Sequence, residues 1–315
     1  MNISIGTKSN ASKSPLLKRV INHRYYYLML LPAIAWYVIF CYLPMGGVTL
    51  AFKTYDFSKG ILGSPWVGLD NFKLLLTDKG FLASLKNTLI LSICKMLIHF
   101  PAPIILAIML NELSKNKLKK VYQTFFTFPH FISWIVLSGI VANIFSQNGI
   151  YNQISSLVGV SHSVSPLVNT EYFRPIVYIS YVWKEMGWDS IIYLAALAGI
   201  NPELYESASM DGANRFQRIL HITWPCIRST TAILLILNIG QIMSGVSFDQ
   251  IFNLYSSPVY SVADTMDTYI YRETFTAGMD FGYSTAIGLI KSVVNMLLVV
   301  ISNKIVTALG EEGLF

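Results

Sequence analysis

Long apolar runs separated by polar loops fill the chain from residue 28 onward. Each run is long enough for a bilayer-crossing helix, which takes about 20 apolar residues at about 1.5 Å per residue. The short alternating strands of a closed barrel are not seen, which leaves the helix as the spanning structure in lipid. The sequence therefore predicts an all-α membrane protein with six transmembrane helices, at residues 28–50, 88–110, 124–146, 175–199, 229–252 and 284–306.

Composition agrees with this pattern. The chain is 53% hydrophobic and only 13% charged, whereas soluble domains carry about 25% charged residues. The first span has no small-residue cleavage site, so we expect it to be retained rather than removed as a signal peptide. We predict one membrane domain over residues 25–315, preceded by a Lys/Ser/Asn-rich tail over residues 1–24.

The positions of the basic residues predict the orientation, because Lys and Arg concentrate in cytoplasmic loops. They are abundant in the N-terminal tail, in the loop after the second span and in the loop at 201–228. Loop 53–86 also holds five lysines and argues weakly against this assignment, although its aspartates indicate a mixed, folded surface. The prediction is that both termini and the 201–228 loop are cytoplasmic. The net charge of +6 therefore needs no nucleic-acid partner, and no RNA-binding motif is present.

The 201–228 loop has the pattern of a helix–turn–helix. Pro202 marks a helix start, and Glu203 and Glu206 suit the positive end of the helix dipole. The pair Asp211-Gly212 indicates a turn, and a second helix through Arg215 and His221 then leads to Pro225. We expect a rigid knob on which a partner docks, with small or soft contacts at Ala208, Met210 and Ala213. The alternative is a solvated amphipathic loop that lies on lipid headgroups.

The spacing of Glu206-Ser207-Ala208, Gly212, Ile222 and Pro225 resembles the EAA loop of ABC-importer permeases. In that family the loop is a coupling helix that sits in a groove of the ATP-hydrolysing subunit. Ser207 replaces the first Ala of the motif and Trp224 replaces a Leu, but the Glu, the turn Gly and the Pro are kept. The resemblance assigns ATPase coupling to Glu206, Ala208, Met210, Asp211, Gly212, Ala213, Arg215 and Pro225.

Further motifs resemble the polysaccharide and oligosaccharide permeases of the maltose-type carbohydrate uptake family. They are Tyr42-Leu43-Pro44-Met45-Gly46-Gly47, Ala51-Phe52-Lys53, Gly63-Ser64-Pro65-Trp66-Val67-Gly68, Asn87-Thr88, Leu110-Asn111-Glu112 and Phe128-Pro129-His130-Phe131-Ile132-Ser133-Trp134. The resemblance runs from about residue 25 to the C-terminus.

This second resemblance implies a type I ABC importer permease fold in a bacterial cytoplasmic (plasma) membrane. It also implies a second permease subunit, two ATPase subunits that carry ATP and Mg, an extracytoplasmic sugar-binding lipoprotein and an oligosaccharide substrate. The chain itself holds no GxxxxGK[ST] phosphate-binding loop. We therefore expect no catalytic residue and no bound cofactor or metal in this subunit.

Polar side chains inside spans are costly and usually face a cavity or a partner. Candidates for the substrate path are Tyr181, Lys184, Glu185, Trp188, Gln241, Ser244, Ser247, Lys291 and Asn295. The first four combine aromatic faces with polar groups, as a sugar requires, but they also fit an interfacial aromatic belt with a structural Lys184–Glu185 or Lys184–Asp189 pair. Gln241 and Ser244 share one face of the fifth predicted span with Asn238 and Phe248, and the resemblance places the sugar site near Ser244 and Ser247. The same stripe also fits a small-residue packing face. The last two fit a cavity, a seam to the partner permease or a polar packing face.

The remaining signals are weaker. Pro101, Pro103 and Pro129 predict kinks, which serve either packing or alternating access. The cysteines Cys41, Cys94 and Cys226 are interpreted as small apolar residues, and His99, His130 and His221 belong to no metal-binding constellation.

Two other classes of protein fit the sequence less well. A membrane enzyme needs clustered catalytic groups, and a receptor needs an appended signalling domain, which the short segment after the sixth span does not provide. A permease for a different small solute stays open. Lys184 and Arg272 suit a uronate or sulfate if they line the path, but the sequence does not identify the sugar.

Overall fold

The protein is described here by a computed structural model covering residues 23–113, 115–157, 159, 165–278, 280–311 and 313–314. The predicted tail therefore lies outside the described residues except for its last two positions. The chain divides into two compact units, residues 1–50 and residues 51–315.

One long helical segment begins in the N-terminal unit and ends two residues into the second. Helix α1 (Arg24–Tyr37) continues through a π-helical turn (Val38–Tyr42) into a 3-10 helix (Leu43–Phe52). An 18-residue window of this segment, Arg24–Phe52, has a mean hydropathy of 1.9, and the segment contains the first predicted span.

The second unit is built from helices of very different lengths. Its described residues hold no β-strand, and only one isolated antiparallel bridge joins Lys53 to Trp66. The α-helices are α2 (Gly60–Gly63), α3 (Asp70–Thr77), α4 (Lys79–His99), α5 (Pro101–Asn111), α6 (Asn116–Thr127), α7 (Trp134–Ile144), α8 (Ile150–Leu157), α9 (Thr170–Ala198), α10 (Pro202–Met210), α11 (Arg215–Arg218), α12 (Trp224–Ile239), α13 (Phe248–Leu254), α14 (Tyr260–Ala263), α15 (Met266–Arg272) and α16 (Phe281–Ala308).

Four helical segments of the described chain are long and apolar enough to cross a membrane: Arg24–Phe52, Lys79–Asn111, Arg215–Ile239 and Phe281–Ala308. A fifth is obtained if Asn116–Phe131 and Trp134–Ile144, which meet at 97°, form one broken span. Helix α9 has 29 residues but carries Arg174, Lys184, Glu185 and Asp189, and it is not among these segments. The count of six spans requires α9 to cross as well and stays a prediction.

Two of the predicted spans differ from the helices observed. The range 229–252 is not one helix, because the helix that begins at Arg215 ends at Ile239 and α13 starts only at Phe248. A 3-10 turn (Ile242–Ser244) lies between them. Asn238, Gln241 and Ser244 therefore do not share one helical face, as a continuous span would require. The range 124–146 is broken by a 3-10 turn (Phe128–Phe131) that contains Pro129.

Of the kinks predicted at the three prolines, the one at Pro129 is observed. Phe100, between α4 and α5, keeps helical backbone angles, and Lys79–Asn111 forms one 33-residue helical segment that contains Pro101 and Pro103. Pro129 lies in the turn before the sharp bend between α6 and α7. Ser133 caps the new helix, since its hydroxyl oxygen accepts the Val136 N–H at 3.3 Å.

Helix α9 packs against α4, α5, α6 and α12. One core cluster surrounds its first half, including Phe173 and Val177, and another surrounds Tyr193 and Leu197 near its end. At Gly187 the helix contacts the backbone at the end of α6, where an added Cβ would lie 2.0 Å from the Phe126 carbonyl oxygen.

A third core cluster joins Met266 of α15 to Ile287 of α16.

A polar junction holds the starts of α4 and α16 against α15. Asp78 caps α4, its carboxylate accepting the Gly80 N–H at 2.7 Å. The Tyr269 hydroxyl donates to the same carboxylate at 2.5 Å, and the Tyr283 hydroxyl donates to it as well. Burial raises the pKa of Asp78, but these hydrogen bonds outweigh it and lower the pKa below its usual value.

Candidate functional site

The first helix of the 201–228 loop is α10, and its start follows the predicted pattern. The Asn201 side chain accepts the Glu203 N–H at 3.1 Å, and Pro202 occupies the first helical position. Glu203 lies in the first turn, where its carboxylate faces the positive end of the helix. Glu206 is exposed on the next turn and is free to meet a partner surface.

The predicted turn lies at Gly212, whose φ of +79° belongs to the left-handed region. The Ala213 N–H donates to the Ala208 carbonyl at 2.9 Å, and the Gly212 N–H donates to the Ser209 carbonyl at 3.2 Å. This pair of bonds is a Schellman motif, which satisfies the last carbonyls of a helix and favours glycine at the left-handed position. Asp211 is the preceding cap residue.

The second helix begins at Arg215 after a reciprocal capping box. The Asn214 carbonyl oxygen of the side chain accepts the Gln217 N–H at 2.9 Å, and the Gln217 side chain accepts the Asn214 N–H at 2.8 Å. The sequence predicted that this helix runs into Trp224-Pro225 before the fifth span. It passes through a π-helical turn (Ile219–Thr223), in which the Trp224 N–H bonds the Ile219 carbonyl, and continues without interruption as α12.

Side-chain contacts hold the two helices of the loop together. The Tyr205 and Thr223 hydroxyls lie 3.0 Å apart, and the Arg218 guanidinium donates to the Ser209 hydroxyl at 3.0 Å. These contacts were not predicted from the sequence, because they depend on a turn geometry that residue spacing alone does not give. The loop is thus one unit fixed to α12.

The loop also presents apolar side chains to its surroundings. Met210 is 89% exposed and Phe216 is 72% exposed, while Ala208 and Ala213 are half-buried beneath them. Phe216 was not among the predicted contacts, although an exposed phenylalanine beside the turn indicates a binding surface. Met210, Ala213 and Phe216 are called the loop knob below.

The span-four candidates lie together in a charged and aromatic group on α9. The Lys184 ammonium donates to the His130 carbonyl at 2.5 Å and lies 3.3 Å from a Glu185 oxygen. The other Glu185 oxygen lies 2.5 Å from His130 Nδ1. Trp188 stacks on the His130 ring at 4.3 Å between centroids. Tyr181 stacks on Trp134, and the Lys95 ammonium lies 3.8 Å above the Tyr181 ring.

These contacts fit a structural Lys184–Glu185 pair better than a free binding surface. Lys184 is only 4% exposed, and its partners lie on α9 and on the turn before α7. Asp189 is more exposed but pairs with His99 at 2.8 Å. The buried Lys95 was not among the candidates, although a lysine inside a predicted span indicates a cavity or a partner. In the described conformation the group ties α9 to α4 and to the α6–α7 bend.

The other candidates form a second group around the break after α12. The Asn295 side chain donates to the Ser244 hydroxyl at 3.1 Å and accepts the Met243 N–H at 3.0 Å. Lys291 lies one turn earlier on α16 and pairs with Asp267 of α15. Gln241 is exposed and Ser247 is half-buried on the same connection. Side chains from three elements therefore converge here.

Arg272 does not supply a free positive charge. Its guanidinium makes two hydrogen bonds to the Asp264 carboxylate, at 3.1 and 2.7 Å, and these bonds raise its pKa. The guanidinium also lies over the Tyr260 and Tyr269 rings, at 5.6 and 5.3 Å from their centroids. Recognition of a uronate by Arg272 would require this pair to open.

Comparison with known proteins gives a consistent result. Residues 99–309 match the family described as "Binding-protein-dependent transport system inner membrane component". Two relatives are from Bacillus subtilis (strain 168). The polygalacturonan/rhamnogalacturonan transport system permease protein YteP is 40% identical over 95% of this chain and 93% of its own length. Protein LplB is 44% identical over 93% of this chain and 91% of its own.

A solved structure shows the same fold. It is a bacterial alginate ABC transporter in complex with a periplasmic protein bound to an alginate pentasaccharide. One chain of that complex is 40% identical to this chain with a TM-score of 0.86, covering 96% of this chain and 100% of that one.

Proposed function

Because the chain belongs to the family of binding-protein-dependent transport system inner membrane components, we propose that it is the permease subunit of an oligosaccharide importer. With a second permease subunit it forms the translocation path, and two separate ATPase subunits supply the energy. The feature that carries this proposal is the 201–228 loop. Its two capped helices, Gly212 turn and exposed knob form a docking surface continuous with a membrane-spanning helix.

The loop couples the ATPases to the path. ATP and Mg bind to the ATPase subunits, whose closure moves the loop knob together with α12. Met210, Asp211 and Gly212 lie at the tip of the loop, while Glu206 and Arg215 lie on its two helices. Ala208 and Ala213 close the turn between the helices, and Pro225 lies where the π turn passes into α12. The cavity then changes from inward-facing to outward-facing and accepts sugar from its binding protein.

The side of the loop follows from this docking. The ATPases act in the cytoplasm, so the 201–228 loop lies on that side of a bacterial plasma membrane. With six spans, both termini lie on the same side. The break after α12 lies at the opposite end of this 25-residue helix from the loop, on the side toward the extracytoplasmic binding lipoprotein.

The substrate class rests on the relatives. One relative belongs to a polygalacturonan/rhamnogalacturonan system, and another structure of the alginate importer concerns an acidic polysaccharide. An oligosaccharide containing uronates is therefore the first class to test. The second group of candidates, Ser244, Lys291 and Asn295, carries both donors and acceptors; these now bond one another, the Met243 N–H and Asp267, so a sugar hydroxyl would exchange with these bonds.

The proposal is tested with this chain and its co-purifying partners in proteoliposomes. We expect Gly212→Asp to abolish the ATPase activity stimulated by sugar-loaded binding protein while the subunits still assemble, because it adds a negatively charged side chain at the tip of the docking surface and replaces the residue favoured at the left-handed position. Gly60→Asp is the matched control, since Gly60 also has a positive φ and open space around it but lies outside the loop. If ATPase subunits neither co-purify nor respond to Gly212→Asp, the importer assignment is wrong.

A further inference from the structure

A group of aromatic rings lies outside the candidate path and has no role in the proposed coupling. Phe248 and Phe252 come from α13, Tyr271 from α15 and Phe275 from the π turn after α15. The ring centroids of Phe252 and Tyr271 are 5.0 Å apart, and those of Tyr271 and Phe275 are 5.3 Å apart. The four residues are called the aromatic platform.

The aromatic platform is not a buried core. Phe252 is 37% exposed, Tyr271 is 39% exposed and Phe275 is 62% exposed. Each helix places its rings four residues apart, so that they stand on one face. Four large rings held together at a surface indicate a binding site.

The aromatic platform borders the second group of path candidates. Asp267 lies four residues before Tyr271 on α15 and pairs with Lys291 of α16. Lys291 lies four residues before Asn295, which bonds Ser244. Ser244 in turn precedes Phe248 by only four residues. The aromatic rings and the polar path residues therefore come from the same elements: α13 with the turn before it, and α15, which Lys291 ties to α16.

The chemistry of this surface fits a carbohydrate. The negative face of an aromatic ring attracts the weakly positive C–H groups of a sugar face. Sugar hydroxyls also need polar partners beside the rings, and Asp249 and Asn253 are exposed on the same short helix as Phe252. A lipid acyl chain has no hydrogen-bonding groups that could pair with these polar neighbours.

We propose that the aromatic platform stacks successive sugar units of the oligosaccharide as it passes from the binding protein toward Ser244, Lys291 and Asn295. This inference rests on the proposed function. Because the rings extend over two helices, a long substrate engages more of them than a short one does. The aromatic platform therefore selects for chain length.

The test compares transport of alginate disaccharide and pentasaccharide by the complete complex in proteoliposomes. The variant Phe252→Leu/Tyr271→Leu keeps apolar bulk but removes two ring faces. We expect about a tenfold lower transport rate for the pentasaccharide and little change for the disaccharide. The variant Tyr271→Phe keeps the ring and should behave like the unmodified protein. Phe125→Leu controls for loss of an exposed ring elsewhere on the surface.

The outcomes separate this inference from the proposed function. If the unmodified complex moves neither sugar, the proposed substrate class fails. If it moves both, and the double leucine variant does too at unchanged rates, the aromatic platform does not bind sugar. An equal loss for both lengths, or a loss that depends on the lipid used, contradicts the inference and assigns the rings to binding-protein docking or to the membrane interface.

Discussion

At the scale of single residues, Gly187 shows how a small side chain positions the charged group. Its missing Cβ lets α9 lie against the Phe126 carbonyl, and the Gly187 carbonyl lies 3.5 Å from the Thr127 hydroxyl. Lys184 lies three residues before Gly187 and Trp188 lies one residue after it. Both contact His130, which lies in the 3-10 turn directly after Thr127. The close approach of the two backbones thus sets the contacts of these side chains.

Gly187→Ala is expected to destabilise the protein by about 1–3 kcal/mol, because an added methyl group forces α9 away from the Phe126 backbone. Thermal unfolding of the purified complex measures this loss. Gly139→Ala is the matched control, since Gly139 lies in α7 with open space where its Cβ would be. The control is expected to be neutral or stabilising by about 0.5–1 kcal/mol. Equal stability of both variants would show that the close approach does not exist.

At the scale of elements, Asp78 joins a helix cap to a tertiary contact. Its carboxylate caps α4 and accepts hydroxyl hydrogen bonds from α15 and α16. Because the folded-state pKa is lowered, the charge of Asp78 stabilises the folded state fully above the unfolded pKa. This contribution disappears as the pH falls through the lowered, folded-state pKa.

Asp78→Asn keeps a capping oxygen but removes the charge. We expect it to lower stability at neutral pH by about 1 kcal/mol, the difference between a charged and a neutral hydrogen bond. The two proteins should converge in acid as the carboxyl of the unmodified protein is protonated. Unfolding curves at several pH values test this expectation. Asp70→Asn, which removes only an exposed ion pair with Lys73, should have almost no effect at any pH.

The sequence was informative where chemistry is local. Pro202 and Gly212 gave the helix start and the turn of the 201–228 loop, since each residue favours one backbone conformation. The continuity of the second loop helix with α12 was not predicted, because a π turn accommodates Pro225 without ending the helix. The break after Ile239 was also missed, since the apolar pattern continues across it. Pairings such as Glu185 with His130 depend on contacts between distant residues.

At the scale of the whole molecule, the number of spans depends on α9. Its 29 residues give a length of about 43 Å, enough for a bilayer, but its charges distinguish it from the apolar spans. Those charges have partners within the protein, such as Lys184 with Glu185 and His99 with Asp189. Paired charges lower the cost of placing such a helix in lipid.

Cysteine labelling determines whether α9 crosses. After Cys41, Cys94 and Cys226 are replaced by Ala, single cysteines are introduced as Ser156→Cys before α9 and Ser207→Cys after it. We expect a membrane-impermeant maleimide to label position 156 in intact cells and position 207 only after permeabilisation. Ser58→Cys serves as an external reference. Labelling of 156 and 207 from the same side would show that α9 does not cross and that six spans is wrong.

The unbroken helix from Arg215 to Ile239 has a mechanical consequence. Its length of about 37 Å makes it a lever arm with the Gly212 turn at one end and the Ser244 region at the other. A tilt of about 10° at the loop displaces the far end by about 6 Å, more than one helical turn of rise. The π-helical turn at Ile219–Thr223 lies within this lever arm. Its stiffness therefore determines how much of the movement at the loop is transmitted to the Ser244 region.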